Sequence, residues 1–486
     1  MITEDAIQTS YGQTIDDTSV QGPFQPNWTS LKNYKVPGWY ISGKFGIFIH
    51  WGVFSVPAFA SEWYARRMYL KDTPEYRHHF RTYGSRKTFG YKDFIPDLTF
   101  EKFDPQAYAT LFRDAGATFV VPVAEHHDGF AMYDSAMTDW TAVKMGPKRD
   151  LVGDLAKAVR AEGMELGVST HRAENYWFFE GGRFADTDVR DDANRGLYGP
   201  AALGPEDHSH DLTDPRPSDE FLQEWLERTC EVVDKYQPSI VWFDWWIQNL
   251  AFKPYLQKFA AFYYNRAAEW GREVAINYKY DAFEPGTAVF DVERGQVGDI
   301  RKDFWQTDTS VSLNSWSYIR DHEYRTAQSL IAMLADVVSK NGALLLNIGP
   351  KPDGTIPEEE QQLLREIGAW LAVNGAAIYD TRPWRVFGEG PVVVEEGAFT
   401  EKNQKDFTNK DIRYTSRDNS VYGIVLARPE GAVVFSQVTD KNIGKVGVLG
   451  SDAKLAWETT ANGLRVEVPD NLPGQHAWVF EISMTV

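Results

Sequence analysis

At 486 residues the chain has room for two domains, one of them a barrel of about 250 residues or more. A composition of 43% hydrophobic and 24% charged residues is globular, and the net charge of −19 argues against nucleic acid, whose phosphates are bound through basic side chains. No apolar run approaches the roughly 18 residues of a spanning helix, which excludes that class of membrane protein.

The opening segment has neither a basic n-region nor an apolar h-region, so no signal peptide is visible. Together with a single cysteine, Cys230, this points to a cytoplasmic bacterial protein. Cys230 shares a helical face with Leu222, Leu226 and Val233 and reads as a packed core thiol. The 17 Trp suit sugar faces, nucleobases or simply a large core, and alone decide nothing.

Residues 1–25 are polar and aperiodic and read as a disordered or loosely docked arm. Strands and helices then alternate through 26–384. Eight strands are predicted: Phe45–His50, Ala117–Ala124, Met164–Thr170, Ser239–Asp244, Glu273–Tyr278, Thr287–Glu293, Phe304–Thr309 and Ala343–Ile348. The links between the fifth, sixth and seventh are too short for full helices. Thr355-Ile356-Pro357-Glu358 reads as a capping box opening a helix that ends at Asn374-Gly375. The class is therefore α/β: an irregular (β/α)8, TIM-like barrel. Residues 385–486 shift to short alternating strands (Val392–Val394, Val421–Val425, Ala432–Phe435, Leu464–Val468, Ala477–Ile482), as in a small antiparallel β-sandwich. Residues 181–220, rich in Asp, Gly and Pro, read as a solvated loop or a lid over the barrel mouth. His208-Ser209-His210 within it is a weak metal signal.

Barrels of this kind place chemistry at strand C-termini, and here those ends are polar: His50, Glu125-His126-His127-Asp128, His171-Arg172, Asp244, Tyr278-Lys279, Glu293-Arg294 and Asn347. Asp244 ends an aromatic strand, Ile240-Val241-Trp242-Phe243, where an unpartnered carboxylate would cost several kcal/mol. Asp244 and Glu293 suit the nucleophile and acid/base of glycoside cleavage. Arg294 is a candidate to neutralise an acid on its strand, and Glu284 and Glu62 are reserves for the acid/base. His126 and His127 suit sugar hydroxyls better than a metal.

The strings Lys44-Phe45-Gly46-Ile47-Phe48-Ile49-His50-Trp51-Gly52, Ser61-Glu62-Trp63-Tyr64, His126-His127-Asp128-Gly129-Phe130 and Trp242-Phe243-Asp244 resemble the α-L-fucosidases of glycoside hydrolase family 29. Trp305-Gln306-Thr307, Ser315-Trp316-Ser317-Tyr318 and Leu344-Leu345-Leu346-Asn347-Ile348-Gly349-Pro350 extend the likeness over roughly residues 40–375. The resemblance implies a barrel followed by a β-sandwich, and a retaining double displacement through a covalent fucosyl-enzyme. It places the nucleophile on Asp244, substrate contacts on His50, Glu62, Trp63, His126 and His127, and the acid/base within Asp291-Val292-Glu293-Arg294-Gly295, on Glu293. Trp242 and Trp316 lie in matching motifs and suit an apolar wall for the sugar's methyl group. Where many relatives carry Tyr-Tyr-Ser, this chain has Ser169-Thr170-His171-Arg172, so His171 stands in for their substrate-binding Tyr.

The expectation is an exo-acting hydrolase of terminal α-L-fucosides with no metal or organic cofactor. Its rivals are a glycosidase for a related deoxy or galacto-configured sugar, a non-catalytic fucose-binding protein, and a metal-dependent hydrolase using the histidines. Linkage, aglycone and a homo-oligomeric assembly are left open.

Overall fold

The computed structural model describes residues 4–205, 213–469 and 471–485; the His208-Ser209-His210 signal lies outside them. The eight predicted runs are the strands of a closed parallel barrel. They are β1 Phe45–Ile49, β2 Phe119–Glu125, β3 Glu165–Thr170, β4 Ile240–Phe243, β5 Ala275–Tyr278, β6 Val289–Glu293, β7 Trp305–Ser310 and β8 Gly342–Ile348. Most of their residues are buried, which parallel strands sheathed by helices require and which explains their unbroken apolar runs. Closure runs through β1, where Gly46 pairs with Leu345 of β8 and Phe119 of β2. A Cβ at Gly46 would lie 2.2 Å from the Phe119 ring, so glycine lets that ring cross the strand.

Helices at 105–114, 151–161, 219–236, 253–270 and 327–339 lead into β2, β3, β4, β5 and β8. The β5–β6 and β6–β7 links contain no helix, as their lengths predict. Each large apolar side chain fully buried in this wall contributes about 1.5–3 kcal/mol. Cys230 is buried among them. No helix among the described residues is long and apolar enough to cross a membrane.

The second unit contains β9 Arg382–Glu389, β10 Ile412–Arg417, β11 Ser420–Val425, β12 Ala432–Phe435, β13 Ile443–Val448, β14 Trp457–Thr460, β15 Gly463–Glu467 and β16 Trp478–Met484. They form an antiparallel five-stranded sheet, β13-β16-β11-β10-β9, and a three-stranded sheet, β12-β15-β14. Tyr414, Phe435, Leu464 and Phe480 fill the space between. A buried cluster ties this unit to the barrel: Asp336 on helix 327–339 accepts from Lys340 Nζ at 2.7 Å and from Arg413 Nε of β10.

Several local expectations are corrected. The N-terminal arm is a helix, Glu4–Gln21. It docks through buried Ile15, Thr18 and Ser19, with Tyr11 Oη donating to Asp234 Oδ2 at 3.0 Å. That buried face is too small and polar to register as an apolar stripe. The helix Glu358–Asn374 has Pro357 at its N-cap and no capping box, because Thr355 Oγ1 bonds Asp353 instead. Val392–Val394 is not a strand, and Val393 is 88% exposed. Within the described part of the loop after 181, Leu197 and Tyr198 are buried and Asp188 accepts from Tyr69 Oη at 2.8 Å, so the stretch 188–198 is anchored to the barrel rather than wholly solvated.

Candidate active site

The C-terminal ends of the barrel strands open into one cavity of about 620 Å³. His50, Glu62, Trp63, His126, His127, His171, Trp242, Asp244, Glu293 and Trp316 all line it. None of the described residues of 181–220 lines it. Glu284 lies elsewhere, paired with Lys32 on the surface.

Lys279, at the end of β5, organises the centre. Its Nζ donates to Asp244 Oδ1 at 2.9 Å and to Glu293 Oε2 at 2.5 Å, and it lies 4.6 Å from the centre of the Trp242 ring. Asp244 is further held by the Trp245 backbone N–H at 2.8 Å on Oδ1 and by His171 Nδ1 at 2.8 Å on Oδ2. Burial opposes its charge, but Lys279 and His171 overcome that and hold the Asp244 carboxyl well below the ordinary carboxylate range. At Glu293 burial wins, helped by repulsion from Asp308 and Asp244 and opposed by Lys279, and the carboxyl is pushed up to about 7. Burial likewise disfavours the Lys279 charge, yet Asp244 and Glu293 raise its pKa well above the ordinary value. The site thus holds a firm carboxylate, a firm ammonium and a protonatable acid.

Arg294 does not neutralise the acids of its strand. It turns away at φ +43 and pairs with Glu401 at 2.9 Å. Asp291 faces inward, accepting from Trp242 Nε1 and Gln306 Nε2, each at 2.9 Å, and so satisfies the indole of a buried wall residue.

The four cavity histidines are neutral, burial pushing each below its ordinary value and His127 to about 3. Their partners fix the tautomers. His50 Nδ1 donates to Asn347 Oδ1 at 2.7 Å, leaving Nε2 an acceptor. His127 Nδ1 donates to the His171 carbonyl at 2.9 Å. Its Nε2, 3.4 Å from Asp244 Oδ2, is therefore also an acceptor and makes no ion pair there. His126 Nδ1 is buried with no hydrogen-bond partner among the described residues.

Nitrogen and oxygen ligand atoms of His50, His126 and His171, and of His127, His171 and Asp244, lie close enough to hold a metal ion. Both groups need His171, whose Nδ1 bonds Asp244 and whose Nε2 accepts from Ser169 Oγ at 3.0 Å. Metal binding would have to break one of these bonds. Across the cavity, Glu62 Oε2 accepts from the Trp316 backbone N–H at 3.2 Å, and Trp316 packs on the Arg294 guanidinium at 4.3 Å.

Lys279, which the sequence places among the polar strand ends without a role, and Asp308, which carries no signal there, both belong to the cavity. Phe399, also at the rim, lies beyond the barrel and carries no local signal of its role.

A family model described as alpha-L-fucosidase matches residues 13–376, and one for the alpha-L-fucosidase C-terminal domain matches 404–483. The chain is 31% identical over 483 residues to an alpha-L-fucosidase of Branchiostoma floridae, covering 95% of this chain and 96% of that protein. It is 30% identical over 482 residues to a plasma alpha-L-fucosidase of Homo sapiens, covering 95% and 93%. The crystal structure of a Thermotoga maritima alpha-fucosidase in complex with fucose superposes with a TM-score of 0.75 at 32% identity, covering 94% of this chain and all of that one. The motifs, the barrel with its C-terminal antiparallel unit and these matches agree: the chain belongs to the α-L-fucosidases of glycoside hydrolase family 29.

Proposed function

We propose that the protein is a retaining exo-α-L-fucosidase. The Asp244 carboxylate attacks the anomeric carbon of a terminal α-L-fucoside while Glu293 gives its proton to the departing oxygen, leaving a fucosyl ester on Asp244. Glu293, now ionised, takes a proton from water, whose oxygen displaces Asp244 and releases fucose with its configuration retained.

The observation that carries this reading is the Lys279 ammonium, bonded at once to a firm carboxylate and a protonatable acid. Oxygens 2.9 and 2.5 Å from one nitrogen can be no farther apart than those two bonds end to end. That ceiling on the facing oxygens lies below the 6.5–9.5 Å or so that admits a water between two carboxyl groups, which favours direct attack by a carboxylate. The acceptors His50 Nε2 and His127 Nε2 suit hydroxyl protons, and Trp242 and Trp316 offer the apolar wall a 6-deoxy sugar needs.

The test follows an aryl α-L-fucoside by proton NMR in the presence of a metal chelator. The α-anomer of fucose is expected first, at a rate the chelator does not change. First-formed β-anomer would contradict the double displacement, and activity lost to chelator and restored by zinc would move the reaction to the histidines.

Lys279→Met offers a further check. Lys279 lowers the pKa of both carboxyls, so its removal raises both. Activity needs Asp244 ionised and Glu293 protonated. The acid and alkaline limbs of kcat/KM should therefore both move to higher pH, with about 10²-fold lost at the wild-type optimum. A profile lowered but unshifted would show that Lys279 does not set these charges.

A further inference from the structure

The chain leaves the five-stranded sheet after β9 and does not rejoin it until β10; between them it crosses to the barrel mouth. There it is bonded, residue by residue, to the segment that follows β6. Phe399 N donates to the Glu293 carbonyl at 2.8 Å, Glu401 N to the Arg294 carbonyl at 3.1 Å, and Gly397 N to the Gln296 carbonyl at 2.9 Å. The approach is tight: a Cβ on Gly295 would lie 1.8 Å from the Gly397 oxygen. Beneath it, the buried Glu401 carboxylate takes Arg294 at 2.9 Å, Arg325 at 2.5 Å and Thr309 Oγ1 at 2.6 Å. This crossing is a built structure anchored by buried charges.

It presents one aromatic ring. Phe399 sits at φ +58, a left-handed conformation unfavourable for its bulk, and is 44% exposed while lining the cavity. Leu313, 50% exposed, and Tyr280, 37% exposed, line the same mouth. Single exposed apolar residues are ordinary. Three around one opening, two of them at positive φ (Tyr280 at +56) and one, Phe399, on a crossing fixed by buried ion pairs, form an apolar collar that solvent alone does not account for.

The side of the cavity they occupy follows from Glu293. An acid that protonates the leaving oxygen faces the leaving group, and Phe399 is bonded to the backbone of that same residue. Resting on the fucosidase reading above, the geometry points to Phe399 as a specificity-determining residue contributed by the C-terminal unit. With Leu313 and Tyr280 it forms the subsite for the leaving group, whose occupant is a pyranose ring presenting an apolar C–H face to the Phe399 ring, as in an oligosaccharide fucoside.

The test compares wild-type full-length protein with Phe399→Ala and Phe399→Gly on a fucosyl-lactose trisaccharide and on α-L-fucosyl fluoride, whose leaving group has no ring. The ratio of kcat/KM for trisaccharide over fluoride is expected to fall about 5- to 20-fold in both variants, the scale of one lost stacking contact. Glycine is at ease at positive φ, so Phe399→Gly should keep the wild-type melting temperature and separate lost stacking from lost folding. Phe399→Trp should keep the wild-type ratio. A ratio unchanged in both Ala and Gly variants of an active enzyme would overturn the subsite and leave the fucosidase reading standing. Wild-type protein that turns over neither substrate would remove both.

Discussion

Replacing Asp244 with glycine should reduce turnover of an aryl α-L-fucoside by about 10⁴-fold or more, the scale for loss of a nucleophile, while the barrel stays folded. The fold should survive because Asp244 stands at the barrel mouth, and its two side-chain donors keep other bonds. Lys279 retains Glu293, and His171 retains Ser169. The missing carboxylate leaves room on the face from which, on the proposed mechanism, it attacks. Azide entering there should restore turnover and yield β-L-fucosyl azide, the inverted product. The pH dependence of that rescued reaction should also shift. Asp244 helps raise the Glu293 pKa, so removing it lowers the pH at which Glu293 loses its proton, and the alkaline limb moves toward acid. Wild-type-like rates in Asp244→Gly, or azide rescue with retained configuration, would eliminate Asp244 as the attacking group.

Glu293→Ala should separate substrates by their leaving groups. A fucoside whose leaving alcohol needs a proton should lose about 10³-fold in kcat/KM, whereas an activated aryl fucoside loses far less, because only the former depends on acid catalysis. Azide should restore turnover with retained configuration, since the fucosyl ester on Asp244 still forms and is then attacked by an anion needing no base. On the proposed mechanism the protonated Glu293 is the active form, so kcat/KM should fall as pH rises through about 7, and this limb should vanish in the variant. Equal losses on both substrate types, with no azide response, would move the role to Glu62. That residue lines the cavity, whereas Glu284 is tied to Lys32 outside it.

The barrel was legible because parallel strands buried on both faces leave unbroken apolar runs, and residues such as Gly46 and Trp242 lie within them. The second unit was less so. β14, Trp457–Thr460, carries exposed positions and β13, Ile443–Val448, exposed positions and Gly in place of clean alternation, and β10 hides its core residues among Arg, Thr and Ser. At the site, strand-end position was enough to gather Asp244, Glu293 and the histidines into one cavity. What it could not supply was partnership. Arg294 follows Glu293 in the chain, but its left-handed backbone sends it to Glu401, and the cation that serves Glu293 comes from β5. Phe399 and Glu401 reach the mouth from a different sheet, a long-range contact that leaves no periodicity to read.

The central claim, that Asp244 forms a covalent bond to the sugar, is tested most directly by trapping. The protein is incubated with 2-deoxy-2-fluoro-α-L-fucosyl fluoride, whose fluorine slows hydrolysis of the ester, then digested and mapped by mass spectrometry. One fluorofucosyl group per chain on the peptide containing Asp244, fragmenting to that residue, is the predicted result. An adduct on another carboxylate, or none while the reagent's fluoride is still being released, would contradict it.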